Sequence, residues 1–199
     1  MAFDPTRLPA DLPVPVDDGA AAHLPGMAMP PIALPSAGGE PVRVDTVPAG
    51  FGRLIIYAYP LTGLPGVPVP DGWDAIPGAR GCTPESCGFR DHAAELAALG
   101  AAVAGLSTQS TAYQRAAATR LRLPFPLLSD AGLALTRALK LPTFGIGLAP
   151  DYDGGGHRTL LQRLTLVVSH GVIEKVFYPV FPPDRHAEEV LAWAGGSRP

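Results

Sequence analysis

Residues 53–59 read RLIIYAY, a short apolar run of residues that favour β-strands. The run predicts a strand buried at the centre of a sheet. Proline and glycine interrupt the next stretch, residues 60–81 (PLTGLPGVPVPDGWDAIPGARG), every few positions. We therefore expect a long loop without regular structure there, and loops of this length in compact domains are usually functional or mobile.

The segment after this loop predicts a helix. Thr83 can cap its start, Pro84 suits the first helical position, and Glu85 places an acid in the first turn. Apolar side chains then recur at helical spacing, and Gly100 is expected to end the helix.

The remaining elements alternate between strands and helices. Two short strands are expected within residues 32–47. Further strands are predicted over residues 101–106, 125–128, 161–169 and 172–180, and helices over 111–122, 131–139 and 184–193. Thr111 with Gln114 would form a capping box, and Asp130 and Asp184 would cap the last two helices. An α/β chain that ends in an antiparallel hairpin and a helix is typical of the thioredoxin-like fold, a central mixed sheet flanked by helices.

Length and composition indicate one globular domain with an extension. The chain has 199 residues and 47% hydrophobic residues, enough to bury a core. Residues 1–29 predict a proline-rich N-terminal arm, and residues 30–199 the domain. A stretch of about 20 apolar residues is absent, so we expect no membrane association. The first residues carry acids and prolines where a signal peptide needs a basic start, and we expect a cytoplasmic protein.

Charge and cysteine content narrow the classes of function. The 15 basic and 18 acidic residues give a net charge of −3, which argues against a nucleic-acid partner. A small-molecule or protein partner fits better, and we expect a monomer or weak homodimer. Two cysteines in a cytosolic protein are more often reactive or buried thiols than a permanent disulfide.

Cys82 stands where the long loop meets the predicted helix. A helix N-terminus carries roughly half a positive elementary charge and unpaired N–H groups, and both favour a thiolate. Because the thiolate is the nucleophile, this position is typical of a reactive cysteine with a lowered pKa.

Cys87 follows five residues later. In an α-helix this spacing separates the two Cα atoms by roughly 8–9 Å, whereas a disulfide needs about 4.4–6.8 Å. The pair can therefore bond only if the first turns unwind, which the neighbouring Gly88 would make easier. Two inert, packed thiols are an alternative. A zinc site is disfavoured because the five histidines are scattered and the cysteines are not closely paired.

Three segments, in order, resemble the peroxiredoxin Q, or bacterioferritin comigratory protein, subfamily. Residues 81–91 read GCTPESCGFRD, like its GCT-x-E-x-C-x-F-R-D signature. Residues 105–130 resemble the segment that ends in LPFPLLSD, and residues 163–177 resemble its hairpin. The resemblance covers about residues 29–193.

The resemblance implies a thiol peroxidase. Cys82 would attack a hydroperoxide, either hydrogen peroxide or an organic one, and become a sulfenic acid. Cys87 would resolve it as an intramolecular disulfide, which thioredoxin or a similar dithiol would reduce. No metal, haem, flavin or other cofactor is implied.

The resemblance also assigns two charged residues. Arg163 matches the subfamily's active-site arginine, which would hold the thiolate and polarise the peroxide oxygens. The alternative interpretation is that Arg163 is only a surface charge at the edge of a strand. Glu85 matches the acid three residues after the nucleophile, and its alternative is a first-turn charge that favours the helix.

The loop before Cys82 departs from the subfamily pattern P-x-x-x-T/S-x-x-C. Ala75 and Ala79 occupy the positions of the proline and the hydroxyl residue. The 21 residues between Pro60 and Cys82 indicate an insertion. Thr62 is our candidate for the missing hydroxyl, and Thr83 is the second.

Two other functions remain open. The absent hydroxyl favours a catalytically weak, redox-sensing or partner-binding protein of the same fold. A thioredoxin-like oxidoreductase is disfavoured, because such enzymes use Cys-x-x-Cys and four residues intervene here.

Overall fold

A computed structural model describes residues 8–196 of the chain. Its strands are β1 (Ala33–Leu34), β2 (Val42–Arg43), β3 (Arg53–Ala58), β4 (Ala101–Ser107), β5 (Leu127–Ser129), β6 (Thr143–Leu148), β7 (Gly156–Leu161), β8 (Leu164–Ser169) and β9 (Val172–Phe177). Its α-helices are α1 (Cys82–Asp91), α2 (Ala93–Ala98), α3 (Thr111–Leu121), α4 (Ala134–Leu139) and α5 (His186–Gly196).

The central sheet has five strands in the order β5-β4-β3-β8-β9. The β3–β4 and β4–β5 pairs are parallel, whereas β8 pairs antiparallel with both β3 and β9. Strand β3 is therefore central, as its apolar run predicted. The mixed sheet with flanking helices confirms the predicted fold class.

Side chains of β3 alternate between two apolar layers, as the period of a strand requires. Leu54 and Ile56 pack in the layer that also buries α4. Ile55 and Tyr57 pack in the layer that buries α1, α2 and α5. The sheet is thus covered on both faces, and the C-terminal end of β3 leads directly into the long loop before Cys82.

The described part of the predicted arm packs on this body. Leu24 and Met29 belong to the layer of α4. The N–H groups of Gly26 and Met29 donate to the carbonyls of Ile173 and Gly171, beside β9. A domain boundary at residue 29 stays a prediction.

The predicted helix before Gly100 is two helices. The backbone of His92, at φ −97° and ψ 5°, departs from helical geometry. The His92 ring forms a hydrogen bond with the Glu95 carboxylate in the first turn of α2. The start also differs, because Gly81 rather than Thr83 is the N-cap, and Cys82 is already the first helical residue.

Other helix starts differ from the sequence-based expectation as well. Ser110, not Thr111, caps α3, its hydroxyl accepting from the Tyr113 N–H, while the Gln114 amide donates to the Leu128 carbonyl. Asp130 does accept main-chain N–H groups, but from Leu135 and Thr136, so α4 begins later than predicted. At the C-terminus, a 3₁₀ turn at Pro183–Arg185 precedes α5.

A second small sheet was not predicted. Strands β6 and β7 pair antiparallel, with Phe144 opposite Leu160. Glycines in both segments weaken the strand signal in the sequence. The predicted strand 161–169 is accordingly divided between β7 and β8.

This hairpin, β6–β7, orders the inserted loop. Loop and hairpin share an apolar cluster of buried side chains, comprising Leu61, Trp73, Ala79, Leu148, Tyr152 and Leu160. Residues Trp73–Ala75 form a 3₁₀ turn. The expectation of a loop wholly without regular structure was wrong, because the hairpin supplies packing that the loop sequence does not reveal.

Candidate active site

Cys82 lies at the buried N-terminal end of α1, with 4% of its surface exposed. The Leu61 N–H donates to its Sγ at 3.4 Å, and Arg163 Nη2 lies 3.2 Å from the same atom. The thiol can itself donate to the Ala79 carbonyl, 3.6 Å away. The sulfur thus sits between a main-chain donor at the start of the loop and a guanidinium just before β8.

Arg163 is buried, with 3% of its surface exposed. Besides Cys82, its guanidinium donates to the carbonyls of Gly78 and Arg80, both at 3.2 Å. The interpretation of Arg163 as a surface charge is therefore wrong. One side chain fixes both the sulfur and the end of the inserted loop.

Glu85 lies fully buried in the next part of the same helix. Its carboxylate pairs with Arg163 Nη1. Burial raises the pKa of Glu85, and the charge of Arg163 opposes that rise. The structure thus brings Cys82, Glu85 and Arg163 together, with the carboxylate orienting the guanidinium rather than lying on an exposed first turn.

The electrostatics of Cys82 combine opposing effects. Burial raises the pKa of the Cys82 thiol, and the negative charge of Glu85 adds to this rise. The charge of Arg163 and the hydrogen bond from the Leu61 N–H lower the pKa. The net direction is upward, contrary to the lowering we expected from the helix N-terminus alone, because the sequence did not disclose how deeply the sulfur is buried. Arg163 is the main group that stabilises the thiolate here.

The predicted hydroxyl residue, Thr62, is close in sequence to the site but turned to another partner. The Thr62 hydroxyl donates a hydrogen bond to Gln109 Oε1 at 3.2 Å, and the Thr62 N–H donates to the same oxygen at 3.0 Å. The second candidate, Thr83, lines the cavity beside Cys82. The structure therefore does not bring the Thr62 hydroxyl to the sulfur, and Thr83 is better placed to meet a ligand.

Cys87 is half-buried in the same helix, and both thiols are free. Burial raises the pKa of Cys87, and the nearby guanidinium of Arg90 opposes this. Between the cysteines, Ser86 Oγ accepts from the Tyr57 hydroxyl at 3.1 Å. Bringing the two sulfurs together must release this helix turn.

Sequence reasoning missed the Leu61 N–H as a donor to the sulfur. A main-chain group has no signature in the residue types. Its only signal was the position of Leu61 directly after Tyr59-Pro60, where the resemblance places the start of the active-site loop.

Gly81 holds the backbone that delivers Cys82. Its φ is 101°, and a Cβ there would lie 2.3 Å from Pro183 Cγ.

We expect Gly81→Ala to lower the free energy of unfolding by about 2–5 kcal/mol, from left-handed strain plus overpacking. Gly50→Ala is the matched control: φ is 88° with no neighbour within 4 Å, so only the strain of about 1–2 kcal/mol applies. Equal losses for both variants in urea unfolding would contradict this packing.

With the geometry established, comparison with known proteins gives the family. The family model described as Redoxin matches residues 24–191. The chain belongs to the redoxin family. Among curated redoxin relatives, the chloroplastic peroxiredoxin Q of Sedum lineare is 28% identical over 166 residues, which cover 83% of this chain and 75% of that protein.

Solved redoxin structures agree with this result. The peroxidoxin BcpB of Mycobacterium tuberculosis has a TM-score of 0.65 and 26% identity, over 89% of this chain and 100% of that one. The bacterioferritin comigratory protein of Xanthomonas campestris, at 23% identity and a TM-score of 0.59, covers 94% of this chain and 98% of that one and shares the fold. The resemblance to the peroxiredoxin Q subfamily is confirmed.

Residues 8–196 show neither a metal-binding cluster nor a membrane-spanning helix. In that range, no three His, Cys, Asp or Glu side chains form a group that could hold a metal ion. No helix in it is long and apolar enough to cross a membrane.

Proposed function

We propose that this redoxin is a thiol-dependent peroxidase in which Cys82 reduces hydroperoxides. The observation that carries the proposal is the position of Cys82 Sγ, 3.2 Å from Arg163 Nη2 and 3.4 Å from the Leu61 N. Both donors stabilise negative charge on the sulfur. Leu61 also lines the cavity beside the sulfur, where a peroxide oxygen would gain charge as the O–O bond breaks.

The first step is a nucleophilic displacement. The Cys82 thiolate attacks one peroxide oxygen, an S–O bond forms and the O–O bond breaks. The other oxygen leaves as alkoxide or hydroxide and is protonated to an alcohol or water. Cys82 is oxidised by two electrons to a sulfenic acid, and the hydroperoxide is reduced by the same two. Arg163, held by Glu85, stabilises the charge that moves onto the leaving oxygen.

The second step forms an internal disulfide. Cys87 attacks the sulfenic sulfur, an S–S bond forms, and water leaves. Because both cysteines start in an intact α1, the turn around Ser86 must unwind first. A thioredoxin or similar dithiol then reduces the disulfide by exchange. We place this cycle in the cytoplasm, where such reductants keep thiols reduced, in a monomer or weak homodimer.

Cys87→Ser tests the resolving step. The variant should consume one equivalent of hydrogen peroxide at the wild-type rate and then stop, because its sulfenic acid has no internal thiol partner. Steady-state turnover with thioredoxin, thioredoxin reductase and NADPH should fall to background. Wild-type turnover by Cys87→Ser would remove Cys87 from the cycle while leaving Cys82 as nucleophile.

A catalytically weak, redox-sensing or partner-binding protein of the same fold is the alternative, because Ala79 places a buried methyl group where the subfamily pattern has a hydroxyl. The peroxiredoxin Q relatives do not favour this alternative. The two functions differ in rate. A sensor would oxidise at Cys82 about as slowly as a free thiol, whereas the peroxidase would be faster by orders of magnitude.

A further inference from the structure

The cavity beside Cys82 is small. Its volume is about 30 Å³, and a water molecule needs roughly 10–15 Å³ by the same measure. It therefore has room for about two water-sized groups. Hydrogen peroxide, with two oxygen atoms, is a molecule of that size.

Much of the wall of this cavity comes from the long loop before Cys82 and from the β6–β7 hairpin. Leu61, Val69 and Trp73 of the inserted loop and Tyr152 of the segment between β6 and β7 line it together with Cys82. Arg80, at the end of the loop, and Thr83, at the start of α1, line it as well. The apolar part of the lining would suit an alkyl group, so the volume decides what can enter.

Packing inside the protein holds the two aromatic side chains of the wall, Trp73 and Tyr152, in place. Trp73 and Tyr152 are almost fully buried in the cluster shared by loop and hairpin. The Trp73 ring lies 6.0 Å from the Phe144 ring of β6, and the Tyr152 hydroxyl donates to the Pro68 carbonyl. Moving either side chain away from Cys82 must break these contacts, so the wall resists widening.

We propose that this aromatic wall makes the enzyme selective for hydrogen peroxide and the smallest alkyl hydroperoxides, with Trp73 excluding branched and aromatic ones. The inference rests on the proposed peroxidase function. Cumene hydroperoxide must bring its O–O bond to Cys82 Sγ with a phenyl ring attached, and that ring is too large for a cavity of about 30 Å³, which is only partly open to solvent. The reaction is otherwise the displacement described above, with cumyl alcohol in place of water.

Rates of Cys82 oxidation with three hydroperoxides test the selectivity. In stopped flow, the wild-type protein should react with hydrogen peroxide on the order of 100-fold faster than with cumene hydroperoxide, with tert-butyl hydroperoxide between them. Trp73→Ala should lower the ratio of the hydrogen peroxide rate to the cumene hydroperoxide rate by at least about tenfold, because the substitution removes a large side chain from the wall. Trp73→Leu, a smaller change that keeps an apolar side chain, should narrow it less.

Ile146→Ala is the matched control. Ile146 packs against the same cluster but does not line the cavity. Truncating its side chain should therefore weaken the cluster while the ratio of the oxidation rates stays at its wild-type value. An unchanged ratio in both folded Trp73 variants, or an equal narrowing in Ile146→Ala, would overturn the role of Trp73. Fast but unselective wild-type oxidation overturns the selectivity alone. Oxidation no faster than that of a free thiol, with every hydroperoxide, would remove the proposed function itself.

Discussion

Replacement of Cys82 by serine is expected to reduce hydroperoxide consumption to the rate of buffer alone. A serine hydroxyl stays protonated at neutral pH, whereas a thiol can ionise against Arg163. Removing an enzyme's nucleophile costs up to on the order of 10⁶-fold in rate. Peroxide loss can be followed by a dye assay, with the reductant system in excess.

The control for Cys82→Ser is its fold. Serine is nearly the same size as cysteine and can accept from the Leu61 N–H, so the thermal transition should change little. Cys87→Ser provides the second comparison, because it should keep one turnover. Peroxide consumption at the wild-type rate by Cys82→Ser would contradict the whole assignment.

Arg163→Met is expected to damage both stability and rate. Glu85 is fully buried and its partner is Arg163, so the substitution leaves an unpaired buried carboxyl group. Breaking a buried ion pair in this way costs about 3–5 kcal/mol. The rate of Cys82 oxidation should also fall by about 10²–10³-fold, the cost of losing a preorganised charge-stabilising donor. The pKa of Cys82 should rise further, because Arg163 lowers it in the wild-type protein.

The double variant Arg163→Met/Glu85→Gln separates the two effects. A neutral glutamine removes the unpaired charge, so urea unfolding should recover part of the lost stability. The oxidation rate should not recover, since the guanidinium beside Cys82 Sγ is still missing. Recovery of the rate together with stability would show that Arg163 acts only through the fold.

Much of the fold was predictable because its signals are local. The apolar run of β3, the hairpin β8–β9 around His170-Gly171, and the helix start near Cys82 all depend on short stretches of sequence. The hairpin β6–β7 escaped prediction because its glycines carry little strand preference. Its stability comes from packing against Trp73 and Leu61, which are far away in the sequence.

The candidate site was predictable only in its side chains. The motifs placed Cys82, Glu85 and Arg163 together, and the structure brings them into contact. They did not disclose that Leu61 supplies a main-chain donor, or that Thr62 is bonded to Gln109. Burial of the sulfur, which reverses the expected direction of the Cys82 pKa, depends on how the inserted loop folds back over the helix.

Stopped-flow oxidation of the reduced wild-type protein by hydrogen peroxide, followed by mass spectrometry of the peptide that holds Cys82 and Cys87, tests the central claim most directly. We expect oxidation far faster than that of a free thiol, ending in an internal disulfide lighter by two hydrogen atoms. Oxidation at the rate of an ordinary free thiol, or a stable sulfenic or sulfinic acid without the disulfide, would contradict a peroxidase cycle that runs through Cys82 and Cys87.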